Sequence, residues 1–309
     1  MADYDGSIHI DRLLSNFATR YRVGDSVADF IAPPFKVKRS SDKYTVYDKG
    51  ALRIYDNKLA GRQEAREIGV ENSTATYSCE EYSLARFLSD NRRQNADNPI
   101  NMEQDSIRKI KDAMLISREK RVADIAGSAS VVTQTVNAAG DWDTVSTGTP
   151  IADIRTGMST IWTSQAGSMK ANKIAIPVNV AIEMIGTDEY RDYFKYNGMA
   201  GNEQFNIVSG LRHLGLEPML AGVFGGNTNE GGASDPGAEA IWSDSVLIFA
   251  SQATPTLDSR TFMYSPFTKK DVVTRFREEK QRGTSFIMYE EMDELLVDAT
   301  AAYLITNTL

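Results

Sequence analysis

The sequence predicts an α+β protein assembled from distinct pieces, and three observations point there. Residues Tyr44–Tyr77 alternate as one long two-stranded ribbon would, Met102–Ala126 carry an unbroken helical pattern, and the chain after Thr261 reads as strands. Between them, Thr149–Ser251 alternates helix and strand like a compact α/β unit. The 309 residues suffice for about two domains, and 41% apolar with 25% charged residues suits a folded chain rather than a disordered one.

The elements follow in order. Residues Met1–Phe35 read as an arm, with Ile10, Leu13, Leu14 and Phe17 at helical spacing before Ala32-Pro33-Pro34 forces an extended exit. The ribbon turns at Asp56–Arg62, and its return, Glu64–Thr76, is polar or small. A hairpin this polar cannot stabilise itself in water and must lean on its own body or on a neighbour.

The long helix has Asn101 as candidate N-cap with Gln104 three residues on. Ile107, Ile110 and Met114 form one apolar stripe, predicted to be core, and Leu115, Val122, Ile125 and Ala126 form a neighbouring one. Asp105–Lys109 and Lys120–Asp124 are i,i+4 pairs for the wet side. Gly127–Gly148, small and polar, reads as a loop or a weak strand pair. Thr149-Pro150 then opens a helix with apolar face Ile151, Ile154, Met158 and Ile161. Strand Lys173–Pro177, helices Asn179–Ile185, Asp188–Tyr193 and Glu203–Leu214, strand Glu217–Phe224, the glycine-rich loop Gly225–Gly237 and strand Ile241–Ala250 complete this unit. The final strands are Thr261–Tyr264, Asp271–Arg277, Thr284–Glu290, Leu295–Val297 and Ala302–Ile305.

Charge excludes several functions. The net charge is −8, so the overall field repels nucleic acid, and gripping DNA through its phosphates is not expected. No run of 18 or more apolar residues exists to cross a membrane. The acidic start MADYDGSIHIDRLL does not read as a secretory signal. The charge is uneven, however. Lys36–Arg66 holds nine basic and four acidic residues, whereas Gly283–Leu309 holds five acids and no base. Basic residues Arg53, Lys58, Arg62 and Arg66 and acids Glu290, Glu291, Asp293 and Glu294 are therefore candidates for contact between subunits, against the plainer reading of two solvated faces.

No catalytic constellation emerges. Gly225–Gly237 lacks the Lys-Ser/Thr of a phosphate loop, and Asp141-Trp142-Asp143 lacks calcium-loop spacing. Cys79 is the sole cysteine, beside Glu80 and Glu81, which disfavour a thiolate, and His9 and His213 lie in different regions. No metal ligand set and no GxSxG or GxGxxG is present, so no catalytic residue, cofactor or metal is expected.

Particular strings carry a resemblance. They are FIAPPFKVKRSSDKYTVYDKGALRI (Phe30–Ile54), EAREIGVENSTATYSCEEYSLARFLSDNRRQNADNPINMEQD (Glu64–Asp105), ISREKRVADI (Ile116–Ile125), PIADIRTGM (Pro150–Met158) and KIAIPVNVAIEMIGTDEYRDYFKY (Lys173–Tyr196). In this order they resemble the major capsid proteins of tailed double-stranded DNA bacteriophages, the Johnson-fold shell family shared with encapsulins, over Ile8–Leu309. No single motif is diagnostic; order and spacing carry the likeness.

The resemblance implies an N-terminal arm (1–35), an extended β-hairpin loop (36–76), and a peripheral domain in two parts (77–148, with spine helix 102–126, and 254–309) around an α/β axial domain (149–253). It further implies self-assembly as hexamers and pentamers into an icosahedral shell, in the virion and in host cytoplasm during assembly. The expected partners are copies of itself, with portal, scaffolding and decoration proteins, and double-stranded DNA enclosed non-specifically, with no membrane. An encapsulin-like compartment and a stand-alone soluble α/β enzyme are the alternatives.

Overall fold

The computed structural model describes residues 26–47, 72–94, 102–196, 207–222, 224–226, 238–242 and 244–309, with the single positions 54, 58 and 67. Ile10–Phe17, the ribbon turn apart from Lys58, and Asn101 lie outside the described residues.

The described chain begins with a short helix, α1 (Val27–Ile31), N-capped by Ser26, whose hydroxyl accepts from the Asp29 amide. Strand β1 (Pro34–Lys36) follows, then β2 (Ser41–Tyr47) and β3 (Asn72–Ser78), paired antiparallel from Ser41↔Ser78 to Tyr47↔Asn72. Past Cys79 the chain continues into β4 (Glu80–Ser89), one turn of helix α2 (Asp90–Gln94) and the 25-residue α3 (Met102–Ala126). Next come β5 (Thr135–Asn137) and α4 (Pro150–Ser164), which has proline in its first turn after Thr149. β6 (Lys173–Pro177), α5 (Val178–Gly186), α6 (Asp188–Tyr196), α7 (Ile207–His213), β7 (Glu217–Ala221), β8 (Phe224–Gly226), β9 (Ala238–Ala240) and β10 (Val246–Phe249) follow. The chain ends with β11 (Met263–Glu278), β12 (Gly283–Met292), β13 (Leu295–Leu296) and β14 (Ala302–Thr306).

Two five-stranded sheets organise these elements. The first has order β1-β11-β12-β4, with β13 also on β11; the second has order β5-β14-β10-β6-β7. Against the first sheet packs the front half of α3, where Ile107, Ile110 and Met114 are buried with Leu88, Val273, Phe286 and Met288. Its back half, through Val122, Ala123 and Ala126, joins α1, Phe249 and Phe262 in a separate cluster. Helices α4 to α7 supply Ile151, Ile154, Ile161, Val180, Met184, Tyr190 and Leu211 to the second sheet's core with Ile174, Ile176, Val246 and Ile248.

Two expectations change. The sequence boundaries place residues 135–148 and 302–309 with the first sheet, but β5 pairs with β14, and β14 with β10. Both segments therefore belong to the second sheet, because Ala302, Leu304 and Ile305 find their apolar contacts there. The two strands expected at 261–264 and 271–277 are one 16-residue strand, bent by register shifts between Phe267 and Val272, with Asp271 in the left-handed region at φ 57°.

Candidate assembly surfaces

Among its described residues the ribbon is anchored at its base. Tyr44 and Tyr77 are buried there with Val37, and Phe35, Leu257 and Leu295 pack against them. The Tyr77 hydroxyl donates to the Arg39 carbonyl at 3.1 Å, and the Cys79 amide donates to Ser40 O at 2.7 Å. Two tyrosines thus end the ribbon on the body by filling apolar space with their rings while their hydroxyls stay hydrogen-bonded or near solvent. Farther out, Ile54 is 101% exposed and Lys58 is exposed. Arg53, Arg62 and Arg66 lie outside the described residues. At the base, Lys36, Lys38, Arg39 and Lys43 are exposed, and Arg39 meets only Asp42 among its salt-bridge partners, at 3.3 Å.

The acidic candidates are placed differently from expectation. Glu290 is 6% and Glu294 9% exposed, so neither offers a carboxylate to a neighbour. Glu294 accepts from Arg121 Nε at 3.2 Å and Nη2 at 2.8 Å, and Glu290 lies in the seam between the first sheet and α3. For these two the expectation of intersubunit contact gives way to intrachain pairing, since burial compels a carboxylate to find a cation or a proton within its own fold. Glu291 pairs with Lys269 at 3.3 Å, and Asp293 accepts from the Ser78 amide at 3.0 Å, where burial holds its carboxyl above the ordinary range.

What the sequence reading missed is a charged belt along α3. Lys111, Arg118 and Glu119 are buried in the same helix as Ile107 and Ile110. Arg118 bonds to Asp29 and donates to Ala32 O at 3.1 Å and Ser265 Oγ at 3.3 Å. Glu119 accepts from Ser26 Oγ at 2.7 Å and from the Ala28 amide at 3.0 Å, which places a negative charge at the start of α1. The signal was present: Ile107, Lys111, Met114, Arg118 and Val122 follow one another at steps of three and four, so the charges continue the apolar stripe.

The rejected catalytic candidates have structural roles. Trp142 is fully buried and its indole donates to Asp153 at 2.8 Å, while Asp141 and Asp143 face solvent. Cys79 donates weakly to Pro266 O, and burial, with Asp293 and Glu291 nearby, pushes its thiol up to about 11. A thiol so perturbed is almost entirely protonated near neutral pH and is a poor nucleophile. His213 lies edge-on to Tyr193. Most of Gly225–Gly237 falls outside the described residues. Among the described residues no group of three potential metal ligands occurs, and no helix is long and apolar enough to cross a membrane.

No family model matches the sequence, and no characterised protein resembles it in sequence alone. Solved structures do resemble it. A phage-related protein from Bordetella bronchiseptica RB50 has TM-score 0.75 at 17% identity, covering 98% of each chain. The mature capsid of bacteriophage PhiM1 has TM-score 0.58 at 7% identity, over 93% of this chain and 88% of that one. The fold is that of the phage capsid shell. A virus-like particle from Pyrococcus furiosus shares it at TM-score 0.55 and 11% identity, over 94% and 95% of the two chains. Because coverage is nearly complete on both sides, the likeness in fold extends over nearly the whole chain.

Proposed function

We propose that this chain is a phage major capsid protein, a coat subunit that assembles as hexamers and pentamers into an icosahedral shell around double-stranded DNA. The observation that carries the reading is end-to-end likeness to a capsid subunit, over 93% of this chain in the PhiM1 case. The ribbon supports it: among its described residues it packs on its own body through Tyr44 and Tyr77, and it presents a fully exposed Ile54 and an exposed Lys58. In this reading Arg53, Lys58, Arg62 and Arg66 reach acidic surface on a neighbouring copy. The first sheet with α3 is the peripheral domain, and the second sheet, with residues 135–137 and 302–306 added, is the axial domain. Many small repeated contacts, rather than a grip on DNA, would close the shell, as suits a net charge of −8. Portal, scaffolding and decoration proteins are the further partners of this reading, and the virion is its location. The subunit's work is structural, without a catalytic residue.

Expression of the protein with its flanking genes, followed by size-exclusion chromatography and electron microscopy of the void fraction, tests it. Megadalton icosahedral particles support the reading, and a monomer under every condition overturns it. Likeness to the Pyrococcus furiosus virus-like particle favours a second reading, a shell around protein cargo. The contents of the particles, DNA or protein, separate the two.

A further inference from the structure

The first sheet holds an acid pair that α3 answers with one lysine. At the bend in β11, the left-handed conformation of Asp271 turns its carboxylate toward α3, where Lys111 Nζ lies 3.0 Å away; the two side chains are 6% and 8% exposed. Glu290, 6% exposed on the adjacent strand β12, stands opposite the bulge that holds Asp271, since Lys269 pairs with Glu291 and Val272 with Tyr289. Two neighbouring carboxyl groups away from water favour sharing one proton, because two buried like charges repel each other. One ammonium balances one carboxylate, so the cluster is neutral with that proton and carries a net buried charge without it.

The surrounding charges do not relieve this. From α3, Arg118 faces Glu290 but is bound to Asp29, Ala32 O and Ser265. From β11, Lys270 lowers the Glu290 carboxyl, but less than burial and Asp271 raise it. From β4, Tyr82 stands opposite Glu290 in register, with the Arg121 guanidinium 3.7 Å above its ring. Farther along the chain, Glu291 is paired with Lys269, and Glu294 with Arg121.

We propose that Lys111, Asp271 and Glu290 form a proton-operated latch, which fastens α3 to the first sheet while the acid pair holds one proton and loosens that seam when the proton leaves. Burial, and then Asp271, push the Glu290 carboxyl up from its ordinary value of 4.5 to about 7. A carboxyl whose value is raised by folding favours the folded state at low pH. That contribution is complete below about 4.5 and is lost as pH climbs through about 7. The apolar anchors Ile107, Ile110 and Met114 do not titrate, so the expected release is local opening of α3 against β12, not unfolding.

Native-state hydrogen exchange on the full-length protein tests the latch, with rates corrected for the intrinsic effect of pH. Between pH 6 and pH 8, protection in residues 108–115 and 287–292 should fall by up to about tenfold, while 246–249 and 302–306 keep theirs. Glu290→Gln keeps the shape and removes the charge, and should make the seam insensitive to pH. Unchanged wild-type protection across this range, or the same loss in Glu290→Gln, overturns the proposal. If that variant does not fold, carbon-13 titration of the wild-type glutamate carboxyls decides. Glu290 titrating near neutrality supports the latch, and Glu290 titrating with the surface glutamates overturns it.

Discussion

The two sheets bury their helices in opposite ways. Behind the second sheet, α4 to α7 meet β6, β10 and β14 through aliphatic and aromatic side chains, and no acidic or basic residue falls in the buried class there among the described residues. At the first sheet, α3 carries Lys111, Arg118 and Glu119 into the same seam as Ile107 and Ile110, and Asp271, Glu290 and Glu294 meet it from the strands and the turn after them. Apolar packing of equal volume commonly holds a helix at least as strongly as buried ion pairs do. The difference therefore lies in kind. The second sheet with its helices is a dry block, held by shape. The first seam is keyed, because its charged heads meet particular partners, so α3 can neither slide by a turn nor rotate without stranding a charge.

The largest effect should come from placing a charge in the dry block. Ile248 is 0% exposed and pairs across strands with Ile174 and Tyr303. Ile248→Asp should leave the protein insoluble, with destabilisation above about 4–5 kcal/mol, because an unpaired carboxylate is buried. Soluble Ile248→Asp protein with native circular dichroism would break the contrast between the two regions at once.

Arg118 probes the keyed seam and should rank second. It is 2% exposed, and its removal strands the Ala32 carbonyl, the Ser265 hydroxyl and part of the charge on Asp29 and Glu294. Arg118→Ala should cost about 3–5 kcal/mol in urea unfolding, as breaking a buried pair does. Arg118→Met fills the volume without the charge and should recover only a minor part. Nearly full recovery with methionine would mean that packing alone holds the seam, and the two regions would then differ in composition only.

A smaller effect tests how tightly the dry block is filled. Gly157 lies in α4 with no space beside it: a Cβ there would stand 2.7 Å from Tyr303 Cδ1 and 2.9 Å from Ile248 Cδ1. Gly157→Ala should lower stability by about 1–3 kcal/mol through overpacking, despite alanine's better helix propensity. A rise in thermal midpoint would show that α4 can shift on its sheet and that the block is looser than its packing implies.

Much of this architecture was legible in the residues. Helix α3 runs over Met102–Ala126 and strand β6 over Lys173–Pro177, as periodicity predicts, since both depend on local pattern. The ribbon's pairing was readable from alternation between Tyr44 and Tyr77. Strand β4 was not anticipated, because Glu80–Ser89 has one buried residue, Leu88, and an edge strand with so little burial carries a weak alternation. Membership of β5 and β14 in the second sheet depends on pairing between residues about 170 positions apart, Leu304↔Thr135 for one, which no local signal encodes. A run of acids reads as surface from sequence, yet Glu290 and Glu294 are buried, Glu294 against the guanidinium of Arg121.

The smallest effect separates charge from burial within one helix. On the wet face of α3, Lys120 pairs with Asp124 four residues on, with both side chains about three-fifths exposed, at 61% and 59%. This pair is as complementary in charge as Lys111–Asp271, but water already solvates each partner, so its formation replaces hydration that is nearly as good. Lys120→Ala should therefore change unfolding free energy by no more than about 0.5 kcal/mol, and added salt should hide even that. Lys111→Met, with the same helix and the same kind of partner, should weaken the protein by a far larger step, because Asp271 would be left dry without the lysine that pairs with it. Equal effects from the two lysines would locate the importance of these pairs in charge itself. Unequal effects in the expected order locate it in the absence of water at the seam, which is also what makes a single proton there matter.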